Sequence, residues 1–240
     1  MITINIAGIP VGIDNRFSHI ANMAKDYLTD ETPFFTVSVT DAEIEEEKSF
    51  SETSYSDAYY EGIVAYRHIA ERLPDYDAFV FHGAVVEVGE FAYLVTAHSG
   101  VGKTTHLSLW LSEFSDAEIL NGDKPIIRFI DGIAYACGTP WQGKENYGKN
   151  STRKLQAIAF LQRGSVNEAY EINYNEAALD FMSQVYLPKK NRLSLSKTMF
   201  LSDKLIRSTR LVRLRCNMDK SAAHVSRKAL VDSIYTRKGD

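Results

Sequence analysis

The chain has 240 residues, of which 45% are hydrophobic and 24% are charged, and its formal net charge is −4. This composition is ordinary for a globular protein with a core large enough to need no disulfide or metal staple. No apolar run approaches the roughly 18 residues of a membrane span, and the N-terminus lacks the pattern of a secretory signal. The two cysteines, Cys137 and Cys216, form no metal or disulfide pattern, so we expect a cytoplasmic protein with no membrane partner.

The charge is distributed unevenly along the chain. Residues 1–77 contain 15 acidic and 5 basic residues, a net charge of −10, whereas residues 186–238 contain 3 and 14, a net charge of +11. Either two ends of one fold, or two protomers of a homo-oligomer, attract each other, or the basic end receives an acidic partner such as nucleotide phosphates, an acidic peptide or nucleic acid. The near cancellation favours the first interpretation.

The first third of the chain predicts a small α+β segment. Alternating or helically spaced apolar residues and turn residues define its elements. In chain order these are a strand at 2–8, a helix at 15–28, a strand at 34–40, a solvated acidic connection at 41–54 and a helix at 55–73 that Pro74 closes. We expect an N-terminal appendage at 1–75 and a core domain at 76–240.

The rest of the chain is richer in strands. The predicted elements are strands at 78–88 and 91–97, a helix at 103–114, strands at 117–120, 125–130, 133–138 and 155–162, helices at 175–185 and 193–208, a strand at 211–216 and a helix at 219–236. Gly89-Glu90 and Asp131-Gly132 each separate two strands and indicate hairpins. The fold class is therefore α/β with a mixed, partly antiparallel sheet.

The segment "TAHSGVGKTTHL" (96–107) resembles a phosphate-binding loop. Gly102, Lys103 and Thr104 match the end of the pattern G-x-x-x-x-G-K-[ST], but Ala97 stands where the first glycine is expected. Alanine can fill that position if its φ stays negative, because the first glycine mainly allows the turn out of the strand. An apolar strand precedes the loop and a helix N-terminus follows it, which suits an anion. The segment predicts a nucleotide site.

A longer stretch, "FHGAVVEVGEFAYLVTAHSGVGKTTHL" (81–107), resembles the core of the HPr kinase/phosphorylase family and its relatives in the ATP-dependent phosphoenolpyruvate carboxykinase superfamily. Those proteins have a His-Gly before the hairpin, a loop of type x-S-G-x-G-K-[ST], and an acidic pair about twenty residues later. His82-Gly83 and Asp123 fall in the corresponding places, and the resemblance covers about 78–163. The fold it implies has a P-loop and is like that of HPr kinase and phosphoenolpyruvate carboxykinase.

Two departures accompany the resemblance. The acidic pair is reduced to Gly122-Asp123, and "GTPWQGKENYG" (138–148) replaces the Arg-Gly-Leu-Gly signature of the family's HPr kinases. The resemblance therefore implies a relative with another substrate, similar to the small kinases that phosphorylate serine on peptides, proteins or small molecules.

The resemblance implies ATP and Mg²⁺ as cofactors. Lys103 would grip the outer phosphates and Thr104 would ligate Mg²⁺, with Thr105 as a second hydroxyl. Asp123 would ligate Mg²⁺ or accept the proton of the attacking hydroxyl; the alternative is a turn residue. His82 would orient the acceptor or Asp123; the alternative is a core histidine. The predicted nucleotide-binding residues are Ser99, Gly100, Val101, Gly102, Lys103, Thr104 and Thr105.

The stretch 139–154 is predicted to be a mobile lid over phosphates, or else an exposed charged loop. Glu145 is a candidate second carboxylate for the metal, and Trp141 either stacks on adenine or plugs the sheet. His98 and His106 are expected to be bystanders, with a nucleotide or acceptor contact as the alternative for His98. The basic residues of the stretch are Lys144, Lys149, Arg153 and Lys154.

Two functions follow from these residues. The first is an ATP- and Mg²⁺-dependent kinase whose acceptor is a hydroxyl, such as serine of a peptide, protein or small molecule. The second is a nucleotide-binding regulatory or assembly protein with little turnover, which the single aspartate at 122–123 favours. From its length we expect no carboxykinase chemistry, and without a recognised nucleic-acid-binding module we expect no nucleic-acid partner.

Overall fold

The computed structural model describes residues 1–232, which form two sheets and seven α-helices within that range. The first sheet has the strand order β1-β2-β3, and β2 pairs in parallel with β3. Its strands and the helices around it are β1 (Ile2–Ile6), β2 (Ile9–Asp14), β3 (Phe35–Ser38), α1 (Ser18–Met23), α2 (Asp41–Ser49) and α3 (Asp57–Arg72).

The strand expected at 2–8 forms as β1 but ends at Ile6. The chain turns back at Ala7-Gly8, so β1 and the unpredicted β2 make a hairpin. Both turn residues have positive φ, 55° at Ala7 and 71° at Gly8. That is the conformation of the two-residue turns that match strand twist. An alanine in this position gives no turn signal in the sequence.

The solvated connection expected at 41–54 is wrong in its first half, where α2 forms. Thr40 caps the helix: its hydroxyl accepts from the backbone N–H of Glu43, and the Glu43 carboxylate accepts from the backbone N–H of Thr40. This capping box satisfies two amides that a helix start otherwise leaves unpaired.

The second sheet has nine strands in the described chain and confirms the mixed, partly antiparallel arrangement. Strand β10 pairs in parallel with β6 on one side and β12 on the other, and the remaining pairs are antiparallel. The strands are β4 (Ala78–Val80), β5 (Ala84–Val88), β6 (Phe91–Thr96), β7 (Ala117–Asn121), β8 (Ile126–Ile130), β9 (Ile133–Cys137), β10 (Thr152–Arg163), β11 (Glu168–Glu171) and β12 (Arg210–Cys216).

Helices cover both faces of this sheet. Ile158 and Phe160 of β10 pack in one cluster with α5 and α6, whereas the alternate residues Ala157 and Ala159 pack in another with α4 and α7, as the two-residue period of a strand requires. The helices are α4 (Lys103–Glu113), α5 (Tyr174–Met182), α6 (Arg192–Ser208) and α7 (Ser221–Arg227). A π-helical turn, Lys228–Asp232, follows α7, and residues 233–236 of the predicted last helix lie outside the described residues.

The predicted strand at 78–88 is two strands that lie in different parts of the sheet. β4 pairs with β8, whereas β5 lies between β6 and β7. The three residues between them cross the sheet, and their amides are taken by other loops: His82 N–H donates to Gln184 O at 2.7 Å and Gly83 N–H to Asp123 O at 3.0 Å. The crossing therefore brings His82 next to the loop after β7.

The first sheet and the second share one apolar cluster, in which α3 packs near Val80, Ile126 and Trp141. The acidic and basic parts of the chain also meet: Lys190 Nζ lies 3.2 Å from Glu43 and Lys197 Nζ 2.8 Å from Asp75. These contacts agree with attraction between two ends of one fold. The domain boundary near residue 75 stays a prediction.

Candidate functional site

The glycine loop, residues 97–102, leads from β6 into α4. Gly100 and Gly102 have φ of 77° and 118°, and a side chain is strained in such backbone conformations. Ala97, where the pattern expects a glycine, is buried and is not one of the residues with positive φ. The changed residue is therefore compatible with the turn out of β6.

The N-terminus of α4 is open. Gly102 occupies the cap position, where no side chain accepts a hydrogen bond from the helix. Helix geometry leaves the amides of the first turn, from Lys103 to Thr105, without an acceptor in the helix. The side chains of Thr104 and Thr105 are exposed. These amides and the positive end of the helix dipole favour an anion at this end of α4.

Three predicted site residues from separate parts of the chain meet beside this helix end. Lys103 Nζ lies 3.4 Å from His82 Nε2, and His82 Nε2 lies 3.3 Å from Asp123 Oδ1. Lys124 Nζ is 2.7 Å from the other carboxylate oxygen, Asp123 Oδ2. We refer to His82, Lys103, Asp123 and Lys124 as the charged cluster.

The turn that carries Asp123 is shaped by Asn121, the last residue of β7. The buried Asn121 side chain accepts from the backbone N–H groups of Asp123 and Lys124, at 3.0 and 2.7 Å. Its amide nitrogen donates to Thr139 O at 3.1 Å. Asn121 therefore fixes the direction in which the carboxylate leaves the strand.

Electrostatics keep the Asp123 carboxylate ionised. Burial alone would raise its pKa, but the hydrogen bond from His82 and the charge of Lys124 outweigh burial and hold the pKa well below its ordinary value. Burial lowers the pKa of Lys103; the nearby Asp123 carboxylate opposes that shift, and Lys124 adds to it.

Gln184, just after α5, holds His82 from the other side. Its Oε1 lies 2.9 Å from His82 Nδ1, while its amide nitrogen donates to Ser183 Oγ at 2.8 Å. The amide oxygen accepts from Nδ1–H. In the neutral imidazole Nε2 then accepts from Lys103, and in the imidazolium form Nε2–H donates to Asp123. No motif in the sequence points to Gln184; only the fold brings it to His82.

A cavity of about 670 Å³ adjoins the glycine loop on the side of α4. Leu161, Cys216 and Met218, at the carboxyl ends of β10 and β12, line it together with Val101 and Thr105. Ligands of open α/β sheets commonly bind outside the carboxyl ends of parallel strands.

The two other histidines near the loop are engaged within the protein. His106 also lines the cavity, but it is buried, its Nε2 lies 3.1 Å from Ser226 Oγ, and burial lowers its pKa to about 4. His98 is exposed, and its Nε2 lies 3.5 Å from Asp180 Oδ1. Both contacts agree with the bystander role expected for these side chains.

The predicted lid is partly folded against the protein. Trp141 is buried, its Nε1–H donates to Gly62 O at 3.1 Å, and its ring contacts Tyr66. It therefore plugs the core and is not free to stack on a base. Lys149 and Arg153 both form ion pairs with the buried Glu87, so these two cations are used within the protein.

Other parts of this stretch lie closer to the charged cluster. A Cβ added to Gly143 would lie 3.1 Å from Asp123 Cβ, so the loop backbone packs against the Asp123 side chain. Lys144 and Glu145 are exposed. The place of Glu145 in a metal site stays a prediction.

The residues present fit a Mg²⁺ ion that phosphates carry. In residues 1–232 no three His, Cys, Asp or Glu side chains gather into a metal site of their own. Mg²⁺ needs only one or two protein carboxylates when phosphates and water complete its shell, and Asp123 with the Thr104 hydroxyl offers such a donor set.

Within residues 1–232, no helix has both the length and the apolarity of a membrane span.

Comparisons with known proteins give a structural likeness. No protein-family model and no curated protein matches the sequence. Among solved structures, the chain is similar to the Hpr(Ser) kinase/phosphatase from Coxiella burnetii, with a TM-score of 0.41 and 6% identity, over 67% of this chain and 93% of that one. A likeness at this level carries no argument about what the chain binds or catalyses.

Proposed function

We propose that the chain is a Mg²⁺- and ATP-dependent kinase that transfers the γ-phosphoryl group to a hydroxyl, such as serine of a peptide, protein or small molecule. The observation that carries the proposal is the convergence of Lys103, His82 and Asp123 at 3.3–3.4 Å beside the open N-terminus of α4. An ammonium, a carboxylate and free amides are the groups that phosphoryl transfer needs most.

In the proposed complex, the amides of the glycine loop and Lys103 hold the phosphates. The adjoining cavity of about 670 Å³ takes the nucleoside, for which its size is ample. Mg²⁺, bound by Thr104, Asp123 and the phosphates, would neutralise charge on the β- and γ-oxygens. Burial lowers the pKa of Lys103, and a bound phosphate would favour its charged form.

For the transfer itself, the acceptor hydroxyl donates a hydrogen bond to Asp123, which His82 holds in place. The acceptor oxygen bonds to the γ-phosphorus while the bond from that phosphorus to the bridging oxygen breaks, and ADP leaves. The hydroxyl proton passes to the Asp123 carboxylate and then to water. Because such transition states are loose, a weakly basic carboxylate suffices to orient the hydroxyl. Positioning and charge neutralisation supply most of the rate.

A second candidate is a nucleotide-binding regulatory or assembly protein with little turnover. One observation favours it: Lys124 lies 2.7 Å from Asp123 and competes for the carboxylate that catalysis needs. Both candidates bind a nucleotide at this site, but only the kinase transfers the γ-phosphoryl group to an acceptor.

The test is incubation with γ-labelled ATP, Mg²⁺ and serine-bearing peptides, comparing the wild type with Asp123→Asn. Asp131→Asn, in the exposed β8–β9 turn where φ is 49°, is the matched control because asparagine tolerates that conformation. The kinase proposal expects label on the peptide for the wild type and the control, and its loss in Asp123→Asn. Tight ATP binding without transfer in all three proteins would favour the second candidate.

A further inference from the structure

One arginine, Arg163, binds the glycine loop and also lines the adjoining cavity. Arg163 is the last residue of β10, the strand that runs parallel to β6, so its side chain starts at the same edge of the sheet as the loop. Its Nε donates to Val101 O at 3.2 Å and its Nη2 donates to Gly100 O. One guanidinium thus binds two successive carbonyls of the loop.

This fork has a consequence for the amides. In a planar trans peptide the C=O of one residue and the N–H of the next point in opposite directions. Turning the carbonyls of Gly100 and Val101 towards Arg163 therefore turns the N–H groups of Val101 and Gly102 away from it. The Val101 N–H donates to His98 O at 3.3 Å and closes the turn inside the loop, whereas the Gly102 N–H leads into the open amides at the start of α4. Successive amides that point to one side form the concave nest in which anions bind.

We propose that Arg163 is a positioning residue that holds the glycine loop in its anion-binding shape. The inference rests on the proposed function and adds a residue that lies outside the loop motif. Arginine suits the task because its planar fork can serve two acceptors at once, whereas a lysine ammonium is a point charge on a flexible stem. Arg163 acts through the loop carbonyls and needs no contact with the transferred group.

The test compares three variants with the wild type, using tripolyphosphate as a probe that has phosphates but no base. Arg163→Gln removes the fork and Arg163→Lys keeps the charge without it. Arg215→Gln is the matched control: Arg215 lies on the neighbouring strand β12, where residue 215 pairs in register with residue 162, and donates to Glu168 at 3.2 Å. Calorimetry gives the affinities, thermal melting checks folding, and NMR follows the Gly102 amide.

We expect Arg163→Gln to weaken tripolyphosphate binding about tenfold, since hydrogen bonds from charged groups are worth about one decade of affinity. Arg163→Lys should lie between Arg163→Gln and the wild type, and Arg215→Gln should match the wild type. The Gly102 amide resonance should shift on binding in the wild type and shift less in Arg163→Gln. A role confined to folding would lower the melting temperature without this pattern.

Each of the following results would overturn the inference. Wild-type affinity in Arg163→Gln means that the fork is dispensable, and wild-type affinity in Arg163→Lys means that charge alone matters. If Arg215→Gln binds tripolyphosphate as weakly as Arg163→Gln, charge alone again explains the binding. If the wild type itself binds neither tripolyphosphate nor ATP, the inference and the proposed function both fail. If the wild type binds and the variants do not differ, the inference alone fails.

Discussion

His82 and Asp123 face each other across the charged cluster, with Nε2 of the imidazole 3.3 Å from Oδ1 of the carboxylate. His82 belongs to the crossing between β4 and β5, and Asp123 follows β7. Thr96 at the end of β6 also binds the crossing, through a hydrogen bond from its hydroxyl to His82 O at 3.1 Å. The contact is thus a product of the sheet topology, and we propose that His82 orients Asp123.

The first prediction concerns His82→Ala. Loss of the imidazole removes one of the two side chains that bind the Asp123 carboxylate and leaves Lys124. The rate at which the γ-phosphoryl group is transferred to water should therefore fall on the order of 10²-fold. The Kd for ATP should stay within about threefold, because the glycine loop is intact. Single-turnover hydrolysis of labelled ATP measures the rate. His224→Ala, at an exposed histidine bound to Glu113, is the control; a fall of the same size in that variant would refute the assignment.

The second prediction concerns backbone conformation in the glycine loop. Gly102→Ala places a Cβ at φ 118°, with no atom within 4 Å to obstruct it, so only backbone strain is added. Strain of about 1–3 kcal/mol should lower the melting temperature by several degrees and distort the loop, weakening ATP binding at least about tenfold.

Gly89→Ala is the matched control for that variant. Gly89 has φ 60°, also without a neighbour within 4 Å of a Cβ, but it lies in the β5–β6 turn away from the loop. It should lose stability by a similar mechanism and bind ATP like the wild type. Unchanged ATP affinity in Gly102→Ala, measured by calorimetry, would contradict the role of the loop.

The third prediction uses Trp141, which is buried and bonded to Gly62 O. Trp141→Phe removes that hydrogen bond and leaves a small void, so the free energy of unfolding should fall by about 1–2 kcal/mol. The Kd for ATP should not change. Denaturant titration and calorimetry provide the two measurements. A tenfold weaker ATP affinity with unchanged stability would instead support stacking of Trp141 on the base.

The fourth prediction concerns acid stability at Glu43. Burial alone would raise the pKa of this carboxyl, but hydrogen bonds from the backbone and hydroxyl of Thr40 and from Lys190 outweigh it and lower the pKa from 4.5 to about 2. A lowered pKa in the folded state stabilises the protein above pH 4.5, and this contribution is lost as the pH falls towards 2.

Glu43→Gln keeps the capping box but loses the negative charge that faces Lys190, so it should be less stable than the wild type at pH 7 by up to about 1 kcal/mol. The difference should shrink between pH 4.5 and 2. Glu46→Gln, at an exposed position of the same helix, should match the wild type throughout. Thermal melting over this pH range is the measurement, and a difference that persists unchanged at pH 2 would contradict the assignment.

Much of the fold was predictable because its signals are local. Helical spacing predicts 55–73 and the structure has Asp57–Arg72, and the two glycine-bearing turns predict the hairpins β5–β6 and β8–β9. The errors arise where a signal was weak or tertiary contacts decide. The turn at Ala7-Gly8 contains an alanine at positive φ, and β11 (Glu168–Glu171) is a short, mostly exposed strand that pairing with β12 stabilises.

The candidate site divides in the same way. The loop pattern and the resemblance point to Lys103 and Asp123. Each lies next to the end of a strand or helix that the sequence predicts. Gln184 and Arg163 carry no motif: the first reaches His82 after α5, and the second reaches the loop from a parallel strand. Partners of this kind depend on strand order, which a single sequence does not specify.

The central claim is that the glycine loop and Lys103 bind the phosphates of ATP, and calorimetry with purified protein, ATP and Mg²⁺ tests it most directly. The account predicts saturable binding to the wild type, and binding at least about a hundredfold weaker to Lys103→Met, which removes the ammonium but keeps the length of the side chain. No binding to the wild type, or equal binding to both proteins, would contradict it.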